Sequence, residues 1–336
     1  MEGVFSRLEP KLKIFLASNH LTTLPGELFN LDRLTVLSIR GNRINELPPG
    51  VGHLHSLKQL NIAQNRLCHL PFEILDLFSD TSRLQSYQFH PNPFHEPLYP
   101  PTNKDNEVAS EEVPIKIGLR NRTRPNRRAI CYISPDQRRI SWHPEWKVIY
   151  QARTEVRFLD NSGALLKGPT LSTDPLLSLR DNEHAVPVAD VDDIPKPPTP
   201  RGNNLSRAPS LLEVALNACS RTPQLPYLSS YLPEYSPGYL SDLLEKTSVK
   251  KEFGGSKCTI CKRNFIVPRT EWLEWWEISK VVENKVLASA ASPLRHMENE
   301  RDTVEKIVPL MRRGCSWLCV PGRLTIEEED AMTRER

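Results

Sequence analysis

The sequence predicts an α/β solenoid at the amino end, a short horseshoe of stacked coils. A small β element and a mainly α, zinc-binding carboxyl-terminal domain are expected to follow. Three observations lead there. Asparagine recurs as Asn19, Asn42 and Asn65, each 23 residues after the last, inside an apolar pattern that recurs with it. β-Branched and aromatic residues then gather between 129 and 166, around a turn signal at Asp160-Asn-Ser-Gly163. Beyond Ser210 the apolar spacing becomes helical, and two close cysteine pairs appear, Cys258 with Cys261 and Cys315 with Cys319.

The repeating unit is clearest from Leu34 to Leu54: Leu34, Leu37, Ile39, Asn42, Ile44, Leu47-Pro48, Val51 and Leu54. Leu57 to Leu77 repeats it, Ile14 to Leu31 precedes it, and a partial copy from Leu84 to Phe94 follows after a four-residue slip. L-x-x-L-x-L reads as a short strand with its leucines in a shared core. Asparagine turns the chain and can satisfy backbone groups between coils. One coil cannot bury its own apolar edge, so stability comes from stacking. The pattern is identified as the leucine-rich repeat, and it resembles the intracellular 23-residue class with its Leu-Pro signature.

Strand positions not needed for the core must face the open concave side. They are Lys13, Phe15 and Ala17; Val36, Ser38 and Arg40; Gln59, Asn61 and Ala63; Ser86, Gln88 and His90. This set holds no paired carboxylates and no Ser/His/Asp group, so it reads as a surface that recognises a protein ligand and not as an active site. A spaced nucleophile, base or phosphate loop is found nowhere else along the chain, and no enzymatic activity is expected.

Composition narrows the setting. A net charge of +3 over 336 residues implies neither a nucleic-acid nor a membrane partner. No apolar run approaches the roughly 18 residues of a membrane span, and the first ten residues lack the basic start and apolar core of a signal peptide. Seven cysteines, with two close pairs, are unlike a disulfide framework. A cytoplasmic or nuclear location is expected. Oligomeric state is not legible.

The expected organisation is repeats over 1–96, a linker with a basic cluster over 97–128, a β element capping the repeats over 129–170, a disordered proline-rich linker over 171–209, a helical cysteine-containing domain over 210–325 and a charged tail over 326–336. The cluster is Arg120, Arg122, Arg124, Arg127 and Arg128. Without interleaved aromatics it reads as a solvated loop or a docking site for acidic protein rather than for nucleic acid. Thr199-Pro200 and Ser206 are candidate phosphorylation sites.

In the carboxyl-terminal domain, Ser210 and Glu213 form a capping-box pattern at the start of a helix carrying Leu211, Val214, Ala215 and Ala218 on one side. A second helix is expected near Leu240 to Leu244. Trp272, Trp275 and Trp276, at i, i+3 and i+4 with Val282 and Val286, predict an apolar helix face turned to the core. A further helix is expected over 300–311. Cys258-x2-Cys261 with Phe265 behind it is a zinc-knuckle spacing, and Cys315-x3-Cys319 would complete a site of four thiolates. Four thiolates leave no open metal position, so such a site folds the domain and does not catalyse.

The layout also resembles a small group of intracellular leucine-rich-repeat-containing proteins. The shared features are Pro209-Ser-Leu-Leu-Glu-x-Ala215, a Leu-Pro stretch at Leu225-Pro226 or Leu232-Pro233, and the cysteine region. Ser210-Leu211-x3-Ala215-x3-Cys219 before Leu-Pro resembles a SOCS box, with Ala215 where that family often has cysteine. That resemblance implies docking of Leu211, Ala215 and Cys219 on elongin C, a Leu-Pro contact with a cullin, and a role in selecting substrates for a cullin–RING ubiquitin ligase.

Overall fold

The structure, a computed structural model, describes residues 11–98, 146–171, 185–189, 195–198, 208–280 and 307–321. The arginine cluster, the expected strands at 129–134 and 139–142, Thr199, Ser206 and the charged tail lie outside the described residues.

Strands β1 (Leu12–Phe15), β2 (Leu34–Ser38), β3 (Gln59–Asn61) and β5 (Ser86–Gln88) form a four-stranded parallel sheet in that order. Each is short because the asparagine turns the chain immediately after it. The asparagines act across coils. Asn42 Nδ2 donates to Ile39 O and to Leu16 O one coil earlier, both at 2.8 Å, while its Oδ1 accepts from Leu21 N at 3.1 Å. Asn65 repeats this with Ile39, Ile62 and Ile44, and Asn92 occupies the fourth rung, accepting from Leu67 N at 3.3 Å. Asn19, in the first coil, has only local carbonyls, Leu16 and Ala17, among the described residues. After each Leu-Pro the chain returns through a 3-10 helix, at Gly26–Asn30, Pro49–His53 and Phe72–Phe78. The helical part of each unit is therefore 3-10 rather than α.

A second sheet has the order β4 (Leu70–Pro71), β12 (Ile307–Gly314), β11 (Thr270–Lys280), β7 (Trp146–Thr154), β10 (Ala185–Ala189), β6 (Glu96–Leu98). Strand β8 (Arg157–Leu159) pairs with β11 and with β9 (Leu165–Lys167). Both end strands, β4 and β6, come from the repeat region. They pair in parallel with β12 and β10 respectively. Trp146, Val148, Tyr150, Trp276, Ile278, Val308 and Leu310 thus share one core with the leucines of the coils. Tyr87 holds the core position that Leu37 and Leu60 hold in earlier coils, and its hydroxyl donates to Ile278 O at 2.6 Å. Trp146 Nε1 donates to Leu84 O, and Trp275 Nε1 to His95 O.

The tryptophan segment is a strand, not the expected helix. Trp272, Trp275 and Trp276 all lie in β11, buried and paired to β12 and β7. Aromatic and β-branched residues suit a pleated surface, and the strand is covered on both faces, which removes the simple alternation that marks a half-exposed strand. Trp272, Glu274, Trp276 and Ile278 stand at period two. A buried Glu274 within that row disguised it. Of the helix expected over 300–311, the part from Ile307 to Met311 is corrected likewise, because Ile307–Gly314 is strand β12, and 300–306 lie outside the described residues. The carboxyl-terminal half is therefore not mainly helical among its described residues. It has two α-helices, α1 (Leu211–Ser220) and α2 (Tyr239–Glu252), beside its two long strands.

At the centre sits a buried ion pair. Arg312 donates to Glu274 Oε1 at 3.1 Å with both side chains 1% exposed. The Trp272 and Trp276 indoles donate to the same carboxylate, at 2.8 and 3.1 Å. Arg312 also lies over the Phe72 ring at 4.1 Å, so a repeat side chain and the distal strands meet at one guanidinium. A second charged chain runs beside it. Arg313 donates to Glu46 at 2.7 Å and to Glu271 at 3.1 Å, and Glu271 accepts from Arg157 at 2.9 Å. Arg313 holds the Glu46 carboxyl down at about 2.

Candidate functional site

Register decides which repeat side chains share a face. Lys13, Val36, Gln59 and Ser86 align as one row across the sheet, and Phe15, Ser38, Asn61 and Gln88 as the next. Between them runs the inward row Ile14, Leu37, Leu60 and Tyr87, buried at its two middle members and half-buried at its ends. Side chains alternate in a strand, so the two outer rows project together, opposite the core. Lys13, Phe15, Arg40, Gln59, Ser86 and Gln88 are exposed, whereas Val36, Ser38, Asn61 and His90 are half-buried. Phe15 is 68% exposed. Arg40 Nε donates to Gln64 at 3.0 Å, which holds its guanidinium at the rim of a depression of about 370 Å³ floored by Tyr87, Gln88 and His90.

The structure also gathers Cys258, Cys261, Cys315 and Cys319, whose sulfurs all lie within 4.8 Å of one another. The first pair sits on a tight turn. Cys258 N donates to Arg263 O, Lys262 N to Cys258 O, and Cys261 N points at Cys258 Sγ, 3.4 Å away. Lys262 adopts φ 62°, the left-handed geometry that closes such a turn. The second pair follows β12 in a loop where Cys319 N donates to Ser316 O and Thr270 Oγ1 to Cys319 O. Gly314 is needed there because a Cβ would run into Thr270 Oγ1 and Cys319 O. Phe265, Ile260, Trp272, Val156 and Phe158 pack beneath the sulfurs.

Cys261 Sγ lies 3.3 Å from Cys315 Sγ and 3.9 Å from Cys319 Sγ, and Cys315 lies 3.8 Å from Cys319. Tetrahedral ligation with metal–sulfur bonds of about 2.3 Å sets sulfurs about 3.8 Å apart. The four cysteines therefore fit one metal ion. The thiols crowd enough to share protons: hydrogen bonds from Cys315 and Cys319 pull the Cys258 thiol far below the usual range, and the contact with Cys258 pushes Cys315 up. Thr259, inside the Cys258–Cys261 turn, accepts from Arg312 through its carbonyl and hydroxyl, at 3.3 and 3.4 Å. The cysteine turn thus reaches the buried ion pair through one residue.

Helix α1 keeps Leu212, Glu213 and Leu216 inward and leaves Leu211, Val214, Ala215 and Ala218 exposed, with Cys219 half-buried. Leu211 is 88% exposed. Ser210 caps the helix as expected, accepting from Glu213 N at 3.1 Å. The Glu213 carboxylate does not close a capping box. It accepts from Ile266 N and Val267 N instead, binding the helix to the chain just past the cysteine turn. Sequence reasoning missed this anchor and both arginine–glutamate chains. The available signal was Arg312-Arg313 directly after the apolar run from Ile307 to Met311.

Comparison with known families matches residues 10–67 to the leucine rich repeat family model. No curated protein matches the chain. No helix among the described residues is long and apolar enough to cross a membrane. The chain carries leucine-rich repeats, a type of domain that generally mediates protein–protein interaction.

Proposed function

We propose that this protein is a non-enzymatic adaptor of the cytoplasm or nucleus. The concave repeat sheet binds a protein ligand, and the cysteine-containing module presents a second surface. The observation that carries this reading is the pair of outward rows through Lys13 and Phe15, in which Lys13, Phe15, Gln59, Ser86 and Gln88 stay exposed although three distant segments wrap the end of the stack. Zinc is the metal that suits the four cysteines, because four thiolates in tetrahedral spacing are its common structural set. It would hold Cys258 and Cys261 to Cys315 and Cys319, tying the segment before β11 to the loop after β12.

A second reading is favoured by one observation. Leu211, Ala215 and Cys219 fall on a stripe of α1 whose opposite side is fixed inward by Leu216 and Glu213. That exposure suits elongin-type docking, which would make the chain the substrate-recognition subunit of a cullin–RING ubiquitin ligase. Quantitative co-purification of the full chain tests both readings. The adaptor reading requires a protein partner lost in Phe15→Glu/Arg40→Glu. The ligase reading requires elongin and cullin, lost in Leu211→Asp and retained in the first variant. A partner set unchanged by either variant removes the corresponding reading.

A further inference from the structure

We infer that the concave sheet takes an acidic, extended peptide segment, with two carboxylates about four residues apart and an apolar side chain between them. This deepens the protein-binding reading and rests on it.

Charge on this face has one sign. Lys13 and Arg40 are exposed, and none of the twelve outward positions from Lys13 to His90 is an Asp or Glu. The carboxylate beside the far end of the sheet, Glu277, accepts from Gln151 Nε2 at 3.0 Å. Arg40 spends its Nε on the neutral Gln64. No carboxylate among the described residues pairs with Lys13 or Arg40, so a partner's carboxylates would meet no like charge.

Spacing sets the length of the segment. Lys13 and Phe15 are neighbours on one side of β1, about 7 Å apart along the strand. Phe15 pairs with Ser38, and Arg40 lies two residues further on, one strand away. Lys13 and Arg40 are thus about 14 Å apart, the reach of four residues of extended chain. Phe15 stands between them, 68% exposed, as the apolar contact. Gln59 beside this line can donate and accept, and Gln88, whose Oε1 accepts from Asn61 Nδ2, can donate through its Nε2, which suits the main chain of a peptide. A nucleic acid fits less well, since such interfaces commonly neutralise about six to ten phosphates, and this face offers two exposed cations among neutral amides.

Panning a random dodecapeptide library on the immobilised full chain tests this, with Lys13→Glu/Arg40→Glu panned in parallel. Wild type should enrich Asp or Glu pairs four apart around an apolar residue. A synthetic peptide of the enriched sequence should bind roughly tenfold more weakly to the double variant and lose affinity with salt. Phe15→Ser should also weaken it, with the melting temperature unchanged in both variants. Enriched peptides without carboxylates, or equal affinity for the charge-reversed variant, overturn the inference. So does a single-stranded oligonucleotide that binds more tightly than the peptide with the same sensitivity to the variants. If neutral peptides enrich and still depend on Phe15, the binding face stands and only its acidic preference falls. If no enriched peptide responds to any of these substitutions, both fall.

Discussion

The two sheets are held together by different means. In the four-stranded sheet each strand meets its neighbour from an adjacent coil, and an asparagine ladder repeats the same bonds at each step. In the second sheet eight strands come from stretches scattered between Leu70 and Gly314, and no side-chain bond recurs among the described residues. Beyond its backbone ladders and apolar core, single polar contacts brace it among the described residues: one buried ion pair, one charged chain, one cysteine cluster. Repetition spreads stability over equivalent rungs, whereas the second sheet concentrates it. Damage should therefore be graded in the first sheet and severe in the second.

Metal removal should produce the largest effect. Structural zinc contributes about 10–16 kcal/mol to folding of small zinc modules near neutral pH. We expect about one zinc per chain by elemental analysis, and loss of the α1–α2 and β11–β12 region to proteolysis after chelation or in Cys258→Ser. Less than half an equivalent of metal, or full metal content in Cys258→Ser, would remove the zinc assignment. Glu274→Ala comes next. It strands Arg312 and two indole donors in the core, and breaking one side of a buried pair costs about 3–5 kcal/mol. Denaturant unfolding measures this, and a cost below about 1 kcal/mol would show that the pair is not a keystone.

Within the ladder, Asn65→Ala should cost about 1–3 kcal/mol, because it leaves the buried Ile44 N without its acceptor and takes one of two side-chain donors from Ile39 O and from Ile62 O, which keep Asn42 and Asn92. Asn19→Ala, which breaks only local bonds at an exposed end, should stay within about 0.5 kcal/mol. Equal costs at the two positions would refute the coil-to-coil role. A further effect, smaller than that of Asn65→Ala, is in pH. Burial, then the Arg313 charge, push His69 down to about 3. The unfolded chain takes up that proton below about 6.5 while the folded chain does not, so stability falls as pH drops from 6.5. Between pH 6.5 and 5.5 the loss should approach but not exceed about 1.4 kcal/mol. His69→Gln should flatten the slope; an unchanged slope would assign it to another group.

Legibility followed the same division. The repeat sheet could be read because its pairing partners lie 23 residues apart in a pattern that recurs, so Lys13, Phe15 and Gln59 could be placed on one face from spacing alone. Cysteine spacing likewise named all four sulfurs that the structure gathers. The second sheet was opaque because nothing local says that Leu70 pairs with Leu310, or that Trp276 and Tyr150 lie side by side. Trp272, Trp275 and Trp276 fit a helical period by chance, and Glu274 hid the true period of two. Polar residues buried by ionic pairing look like surface residues until the partner is known.

Strands β4 and β6, at the two ends of the second sheet, carry a consequence for how the protein is made and dissected. During synthesis Leu70 and Pro71 emerge well over two hundred residues before Ile307–Gly314, the strand that completes them. Trp146 and Ile278, which meet Phe78 and Tyr87 of the last coil, likewise emerge only after the repeats are complete. A fragment cut near residue 98 would stay in that unfinished condition, a nascent intermediate rather than an isolated domain. Expressed alone, it should clump or recruit chaperones instead of behaving as half of the molecule.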